Sequence, residues 1–182
     1  ADRRLFAVTA ALVIVLDLVT KAAAEAHLTR VTGVPVLGEW FQLRLVYNQG
    51  AAFGLHLGPF SRWFFLGFAV LAVFVLNALS RSAMPGDRFR QIACGLVTGG
   101  AIGNLLDRVR SARGVVDFID IGLGSYRWPT FNIADIAVTC GALALALSFW
   151  REDVRRSETA SAGWRLPRPR SSASRCWRTR PS

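Results

Sequence analysis

GGAIGNLLDRVRSARGVVDFIDIGLGSYRWPTFNIAD, residues 99–135, joins two apolar segments. One ends in Asn104, Asp107 and Arg108, and the other opens with Asn132 and Asp135. Between them, Val115-Val116-Asp117-Phe118 sets a carboxylate among bulky apolar residues. Aspartates, asparagines and an arginine thus gather where hydrophobic segments meet a connection. Ionisable groups at the edge of a membrane span are costly to hold there, so such a gathering is by default a functional site. The remainder of the chain reads as the scaffold that assembles it.

A run of about 20 apolar residues crosses a bilayer as a helix. Four segments meet that test: 5–24, with Asp17 and Lys21 in its second half; 60–79, with Arg62 near its start; 91–109, rich in glycine; and 131–150, with Asp135 near its start. The predicted fold class is therefore an all-α polytopic membrane protein with four transmembrane helices. The peptide from 1 to 150 forms one membrane domain, and residues 151–182, rich in Arg, Ser and Pro, form a basic tail expected to be disordered and cytoplasmic. The first segment lacks a convincing small-residue cleavage site and reads as a retained anchor.

Composition agrees. The 182 residues are 52% hydrophobic and 19% charged, with mean hydropathy +0.34, and long stretches carry almost no charge. A soluble domain would alternate polar and apolar positions more finely. The net charge of +10 sits largely in the tail. No folded basic module with base-stacking aromatics accompanies it, so nucleic acid is not an expected partner. Cys94, Cys140 and Cys176 are scattered and give no disulfide framework. His27 and His56 are isolated, so neither a metal nor another cofactor is expected.

Lys and Arg counts in the flanks are nearly equal on the two sides, and the basic tail tips both termini to the cytoplasm. Depth is more informative. With that orientation Asp17 and Lys21 fall in the outer half of the first helix, and Asn104, Asp107 and Arg108 at the outer end of the third. Asp135 lies about 6 Å into the fourth at 1.5 Å per residue. Every intramembrane polar group lands at one level, near the extracytoplasmic surface. Residues 34–57 are not a span: Phe41, Leu43 and Leu45 alternate with Gln42 and Arg44, the period of a half-buried strand. Turn residues follow from Tyr47 to Gly50. A small extracytoplasmic sheet or hairpin is predicted, with Trp40, Phe41, Tyr47 and Phe53 suited to the interfacial belt.

Asp17 and Lys21, four apart, share a helix face and can pair, which is the less costly way to keep two charges in a membrane. Gly95, Gly99 and Gly103 make a face that permits close helix packing. Asn104 and Arg108 lie one turn apart. Asp107 could pair with Arg108 or Arg110, or hold a neighbouring backbone. Asn132 could cap the fourth helix, while Asp135, followed by an apolar run, needs a buried partner. Asp117 is the obvious candidate, although a surface aspartate in a loop would read the same. Two carboxylates held close cannot both ionise easily; they share a proton, and one can activate water while the other donates a hydrogen bond. The rival reading is a small ion- or proton-coupled transporter, for which intramembrane Asp, Lys and Arg are also expected. Against it, the polar groups form one level instead of a path across the bilayer.

These residues resemble the lipoprotein signal peptidases (signal peptidase II). The matching motifs, in the family's order, are DLVTK (17–21), YNQGAAF (47–53), GNLLDR (103–108), VVDF (115–118) and FNIAD (131–135). Each alone is weak, and five together are specific. The resemblance implies a multi-pass aspartyl endopeptidase of the bacterial cytoplasmic (inner) membrane, its active site facing the extracytoplasmic side; the strand region carrying Asn48 would then form a β-cradle over that site. Its partners would be membrane lipids and diacylglyceryl-modified prolipoproteins, cut on the N-terminal side of the lipidated cysteine; a monomer is expected. By the same resemblance Asp117 and Asp135 are the catalytic pair. Asn48, Asn104, Arg108 and Asn132 position substrate and network, and Asp17, Lys21 and Asp107 are the structural polar set.

Overall fold

A helix that faces lipid reverses the pattern of a soluble one, with polar residues inward and apolar residues outward. Helix α1 (Arg3–His27) is built this way. Its buried residues are Ala10, Val13, Asp17, Lys21 and Ala24, spaced three or four apart on one face. Val8, Leu12, Val15, Leu16 and Val19 cover the other face, each more than half exposed. The computed structural model describes residues 3–50 and 60–163. After α1 come β1 (Val34–Leu37), β2 (Phe41–Asn48), α2 (Ser61–Ser82), α3 (Arg88–Arg110), β3 (Val115–Leu123), β4 (Tyr126–Arg127) and α4 (Ile133–Gly163). Ala51, Ala52 and Phe53 of the YNQGAAF motif lie outside the described residues, as does the tail from 164.

Helix α2 repeats the reversed pattern: Ser61, Ala69, Leu76 and Ser80 are buried, and Phe68, Leu71 and Phe74 face outward. Among the described residues, three helices are long and apolar enough to cross a membrane: Arg3–His27, Ser61–Ser82 and Ile133–Thr159. The fourth expected span, 91–109, is present as α3 and is as long as its neighbours, but its composition fails that test. The reason lies in its surroundings. A helix wrapped by other helices needs no apolar coat, and α3 buries Ala93, Cys94, Thr98 and Asp107 along with its glycines. A Cβ on Gly99 would lie 2.7 Å from the Cβ of Val13 and 2.8 Å from the carbonyl oxygen of Ala10 on α1. One on Gly100 would strike the Ala134 carbonyl of α4. The glycine face therefore lets α1 and α4 close on α3 from two sides. Asp87 starts α3 by accepting a hydrogen bond from the Arg90 N–H at 3.0 Å. Arg62 of α2 closes its far end, donating to the carbonyls of Arg108 (2.6 Å) and Val109 (3.2 Å).

The predicted hairpin exists as β1 and β2, antiparallel with Val34 opposite Leu43. The sheet is larger than expected, with four strands in the order β1-β2-β3-β4, all antiparallel. Residues 115–123, read from the sequence as part of a connection, form β3, and six consecutive residues from Val115 to Asp120 are buried. The bulky run that hid Asp117 in a loop is a buried strand. Gly114 leads into it with φ +106°, and a side chain there would run into the carbonyl of Asn48; only glycine allows this approach. Phe131 then bridges back to the strand. Its carbonyl accepts from Phe118 (3.0 Å) and Ile119 (2.8 Å), and its N–H donates to Ile119 (3.1 Å). That bridge sets the first turn of α4 beside β3.

Residues 1–148 form one compact unit holding every site residue named above. Phe149 begins a second, whose described part is helical through Gly163, with Arg156 paired to Glu152 at 2.6 Å. The helix thus passes the boundary near residue 150 expected from hydropathy. Hydropathy falls there, but Arg, Glu and Ser are compatible with a solvated helix and the i,i+4 ion pair supports one.

Candidate active site

Helix α1 supplies the deepest charges. Lys21 Nζ lies 2.7 Å from Asp17 and 2.8 Å from Asp107 of α3, and all three are buried. Asp107 therefore pairs across helices and not with Arg108 or Arg110, as the sequence had allowed. Sequence proximity misled, because adjacent residues on a helix point in different directions. The alternative of a held backbone is met: Asp107 accepts from the Val116 N–H at 3.3 Å, which ties β3 to α3. Asp17 likewise accepts from the Ala134 N–H of α4 at 2.9 Å. One ammonium and two carboxylates thus join two helices, a strand and the start of a third helix.

The same ammonium donates to Asn104 Oδ1 at 2.9 Å, which orients that amide so that its Nδ2 donates to Asp135 Oδ1 at 2.8 Å. Asn132 is the hinge of the site. Its Oδ1 accepts from the Asp135 N–H at 2.9 Å, and Asp135 Oδ2 accepts from the Asn132 N–H at 3.3 Å. This is a reciprocal cap at the first turn of α4. Its Nδ2 also donates to Asp117 Oδ1 at 2.7 Å, with Asn104 Oδ1 (3.1 Å) and the Val116 carbonyl (3.2 Å) within reach. The cap anticipated for Asn132 is real, and the residue is also a bridge between two carboxylates.

Asp117 is 1% exposed, and Asn48 of β2 holds its other oxygen, donating at 3.0 Å. Burial first, and the charge of Asp135 second, push its carboxyl from an ordinary 3.8 up to about 7. The hydrogen bonds from Asn48 and Asn132, and the charge of Lys21, pull the other way without offsetting the rise. Arg108 spans the mouth, donating to the carbonyls of Asn104 (3.1 Å) and Gly50 (3.1 Å), with its guanidinium 5.6 Å from the centre of the Phe65 ring. A cleft of about 800 Å³ opens here, with Asn48, Arg108, Asp117 and Asp135 on its polar side and Ile136 and Val138 of α4 among its apolar lining.

All nine residues singled out in the sequence fall into this one connected network. Two features escaped that reading: Arg62 as the cap of α3, and Asp120 of β3, which pairs with Arg127 at 2.7 Å and pins β4. For the second a signal existed, since Asp120 and Arg127 straddle the Gly-Ser turn of a two-strand pattern. Chemically, the cleft offers two carboxylates able to share a proton, held by amide donors and opening beside an apolar helix face.

Residues 9–151 match the family described as Signal peptidase (SPase) II. The lipoprotein signal peptidase of Maridesulfovibrio salexigens is 40% identical over 141 residues, covering 76% of this chain and 90% of that one. That of Cupriavidus necator is 43% identical over 150 residues, covering 81% and 83%. Among solved structures, a bacterial membrane enzyme determined by the in meso method at 2.3 Å superposes with a TM-score of 0.73 at 28% identity, over 81% of this chain and 88% of that one. A second, at 1.9 Å, gives 0.70 at 29% identity over 79% and 91%. The matched residues 9–151 take in most of α1, all of α2 and α3, the sheet, the first part of α4 and the whole carboxylate network, and this multi-pass membrane protein belongs to the signal peptidase II family of proteases.

Proposed function

We propose that the chain is an aspartyl endopeptidase that removes signal peptides from diacylglyceryl-modified prolipoproteins, cutting on the N-terminal side of the lipidated cysteine. The observation that carries this reading is the placement of Asp117 and Asp135 in one cleft, joined through Asn132, with the Asp117 carboxyl raised to about 7. Family membership supports the substrate class. In the proposed reaction one carboxylate of the pair takes a proton from water as its oxygen attacks the scissile carbonyl carbon. The protonated partner donates to the carbonyl oxygen. Collapse of the tetrahedral diol breaks the C–N bond: the proton gained from water passes to the leaving amine, and a diol hydroxyl returns its proton to the partner carboxylate, which restores the starting state of the pair. Asn48 and Asn132 hold Asp117, Asn104 holds Asp135, and Arg108 sets the wall against which the substrate backbone lies.

In this reading α3 is a fourth span, so both termini lie on one side; the basic tail favours the cytoplasm, and the cleft then faces the extracytoplasmic side of the inner membrane. The signal-peptide helix then reaches the cleft sideways from the bilayer along the apolar side of α4, while the diacylglyceryl chains stay in lipid. The polar groups at one depth speak against a transport path. Purified protein supplied with a synthetic diacylglyceryl precursor tests the proposal. Asp117→Asn, Asp135→Asn and the double variant are each expected to fall to one common floor, at least about 10³-fold below wild type, because the pair acts as a unit. Cleavage by a folded Asp117→Asn at near wild-type rate would overturn the assignment.

A further inference from the structure

A second cavity, of about 440 Å³, adjoins the cleft and shares Val46, Tyr47 and Gln49 with it. Three arginines line it: Arg30 from the α1–β1 connection, Arg44 from β2 and Arg113 from the turn before β3. The guanidinium carbons of Arg30 and Arg113 lie 4.2 and 4.4 Å from the centre of the Tyr47 ring. Arg113 also donates to the Tyr47 hydroxyl at 2.9 Å and pairs with Glu25 of α1 at 3.2 Å, and the Tyr47 hydroxyl donates to Glu25 at 2.7 Å. Among the described residues Glu25 is the carboxylate paired with this group, which leaves two of the three positive charges unmatched. Fixing like charges around one ring is unfavourable unless an anion completes the cluster.

Depth indicates which anion. Val19 is the last large exposed apolar residue of α1, and Glu25 lies about 9 Å beyond it along the helix, which is headgroup depth and neither hydrocarbon nor bulk water. Exposed Val31, Val34 and Val36 flank the arginines, as suits a surface resting on acyl chains. Guanidinium forks match phosphate oxygens in pairs. β1 pairs β2 only as far as Leu43, and beyond it the Leu45 N–H already donates to the Thr29 carbonyl at 3.4 Å, so the first edge donor a peptide strand would meet here is taken. We propose that Arg30, Arg44 and Arg113 around Tyr47 form a binding site for the phosphate of an anionic membrane phospholipid, distinct from the peptidase cleft. The diacylglyceryl group of a prolipoprotein carries no phosphate, so the occupant is a lipid of the surrounding leaflet. The site stands independently of the proposed peptidase chemistry and rests only on the membrane placement of α1. Its consequence is direct: Tyr47 precedes Asn48, the residue that holds Asp117, so the lipid braces the strand that shapes the active site.

Full-length protein equilibrated with mixed phosphatidylglycerol and phosphatidylcholine, then examined by native mass spectrometry, tests this. Each basic group at an anionic surface contributes about a fivefold preference, so wild type is expected to retain phosphatidylglycerol roughly 30-fold over phosphatidylcholine. The Arg30→Gln/Arg44→Gln variant is expected to bring that ratio near one while retaining the wild-type Tm. Should it fail to fold, the single Arg44→Gln, at an exposed position, is expected to lose about fivefold. Arg110→Gln, also exposed but outside the cavity, is expected to keep the preference. Equal loss in Arg110→Gln would reduce the effect to general surface charge and overturn the site. An unchanged ratio in the double variant would overturn it as well. Displacement of the lipid by millimolar inorganic phosphate, or by an acidic peptide at micromolar concentration, would reassign the cavity to a free anion or to a polypeptide.

Discussion

Asp117 sits where burial and the charge of Asp135 both raise its carboxyl, from 3.8 to about 7. The sign of the consequence follows from proton counting. Between those two values the folded chain holds a proton that the unfolded chain has lost, so stability falls as pH rises. The contribution is fully present below about 3.8 and gone above about 7. Asp117→Asn removes it: its Tm is expected to exceed that of wild type at pH 8 and to vary less between pH 4 and 8, as a thermal series would show. The proposed chemistry needs one proton on the pair, so cleavage is expected to decline above about pH 7. Asn48 favours the ionised form through its hydrogen bond. Asn48→Ala is therefore expected to move that alkaline limb to higher pH, besides lowering turnover; a limb moving to lower pH would contradict the role. Lys21 is the other decisive residue. Lys21→Ala leaves Asp17 and Asp107 buried without their shared cation, an expected loss of about 3–5 kcal/mol. Asp107→Asn leaves the Lys21–Asp17 pair in place, so its loss is expected to be smaller. Denaturant titration in mixed micelles gives the order, and the reverse order would count against Lys21 as the keystone of the cluster.

At the level of elements, the glycines of α3 govern how closely helices approach. A Cβ at Gly103 would strike a carboxylate oxygen of Asp17, the partner of Lys21. Asp17 also anchors α4 through the Ala134 N–H. Overpacking of this kind costs about 1–3 kcal/mol, and here it also pushes on the ion pair. Gly103→Ala is expected to be destabilised at the upper end of that range and to lose activity with it. Gly67 of α2 is the matched control, since a Cβ there meets nothing within 4 Å. Gly67→Ala is expected to leave activity unchanged and to stabilise slightly, by up to about 1 kcal/mol, because alanine loses less backbone entropy in a helix. Thermal melts and cleavage assays on the two variants check the contrast. The sheet acts in a complementary way. Pairing of Val46 with Asp117 and of Tyr47 with Val116 carries Asn48 to the carboxylate, and the Phe131–Ile119 bridge carries Asp135 to the same place.

Across the whole molecule, exposed apolar faces on α1 and α2 surround the buried polar level. The proposed chemistry requires that level to lie near the outer surface, whereas the proposed lipid site requires only that it lie at headgroup depth. Cysteine substitutions in a background without native cysteines test this placement. Probes at position 36, in β1, and at position 124, in the turn between β3 and β4, are expected to react with an impermeant thiol reagent in intact spheroplasts. A probe at position 88, at the start of α3, is expected to react only after the membrane is opened. Labelling of position 88 in intact cells would invert the topology and remove the extracytoplasmic site.

Hydropathy and charge spacing determined the lipid-facing helices, because exposure to hydrocarbon constrains every residue on a face independently of its partners. They also collected the polar residues at one depth, since each helix rises 1.5 Å per residue whatever it packs against. The hairpin of β1 and β2 was legible from alternation in the same way. Helix α3 was legible as a helix, but its buried role was not, because a segment coated by protein need not carry the composition of a span. Pairings across elements were beyond reach as well. Lys21 meets Asp107 over a sequence distance that no local periodicity encodes, and β3 appeared as a loop because a strand buried on both faces shows no alternation. Asn132 could be recognised locally as a cap. That it also reaches Asp117 depends on the backbone bridge at Phe131, a contact that exists only once α4 has docked against the sheet.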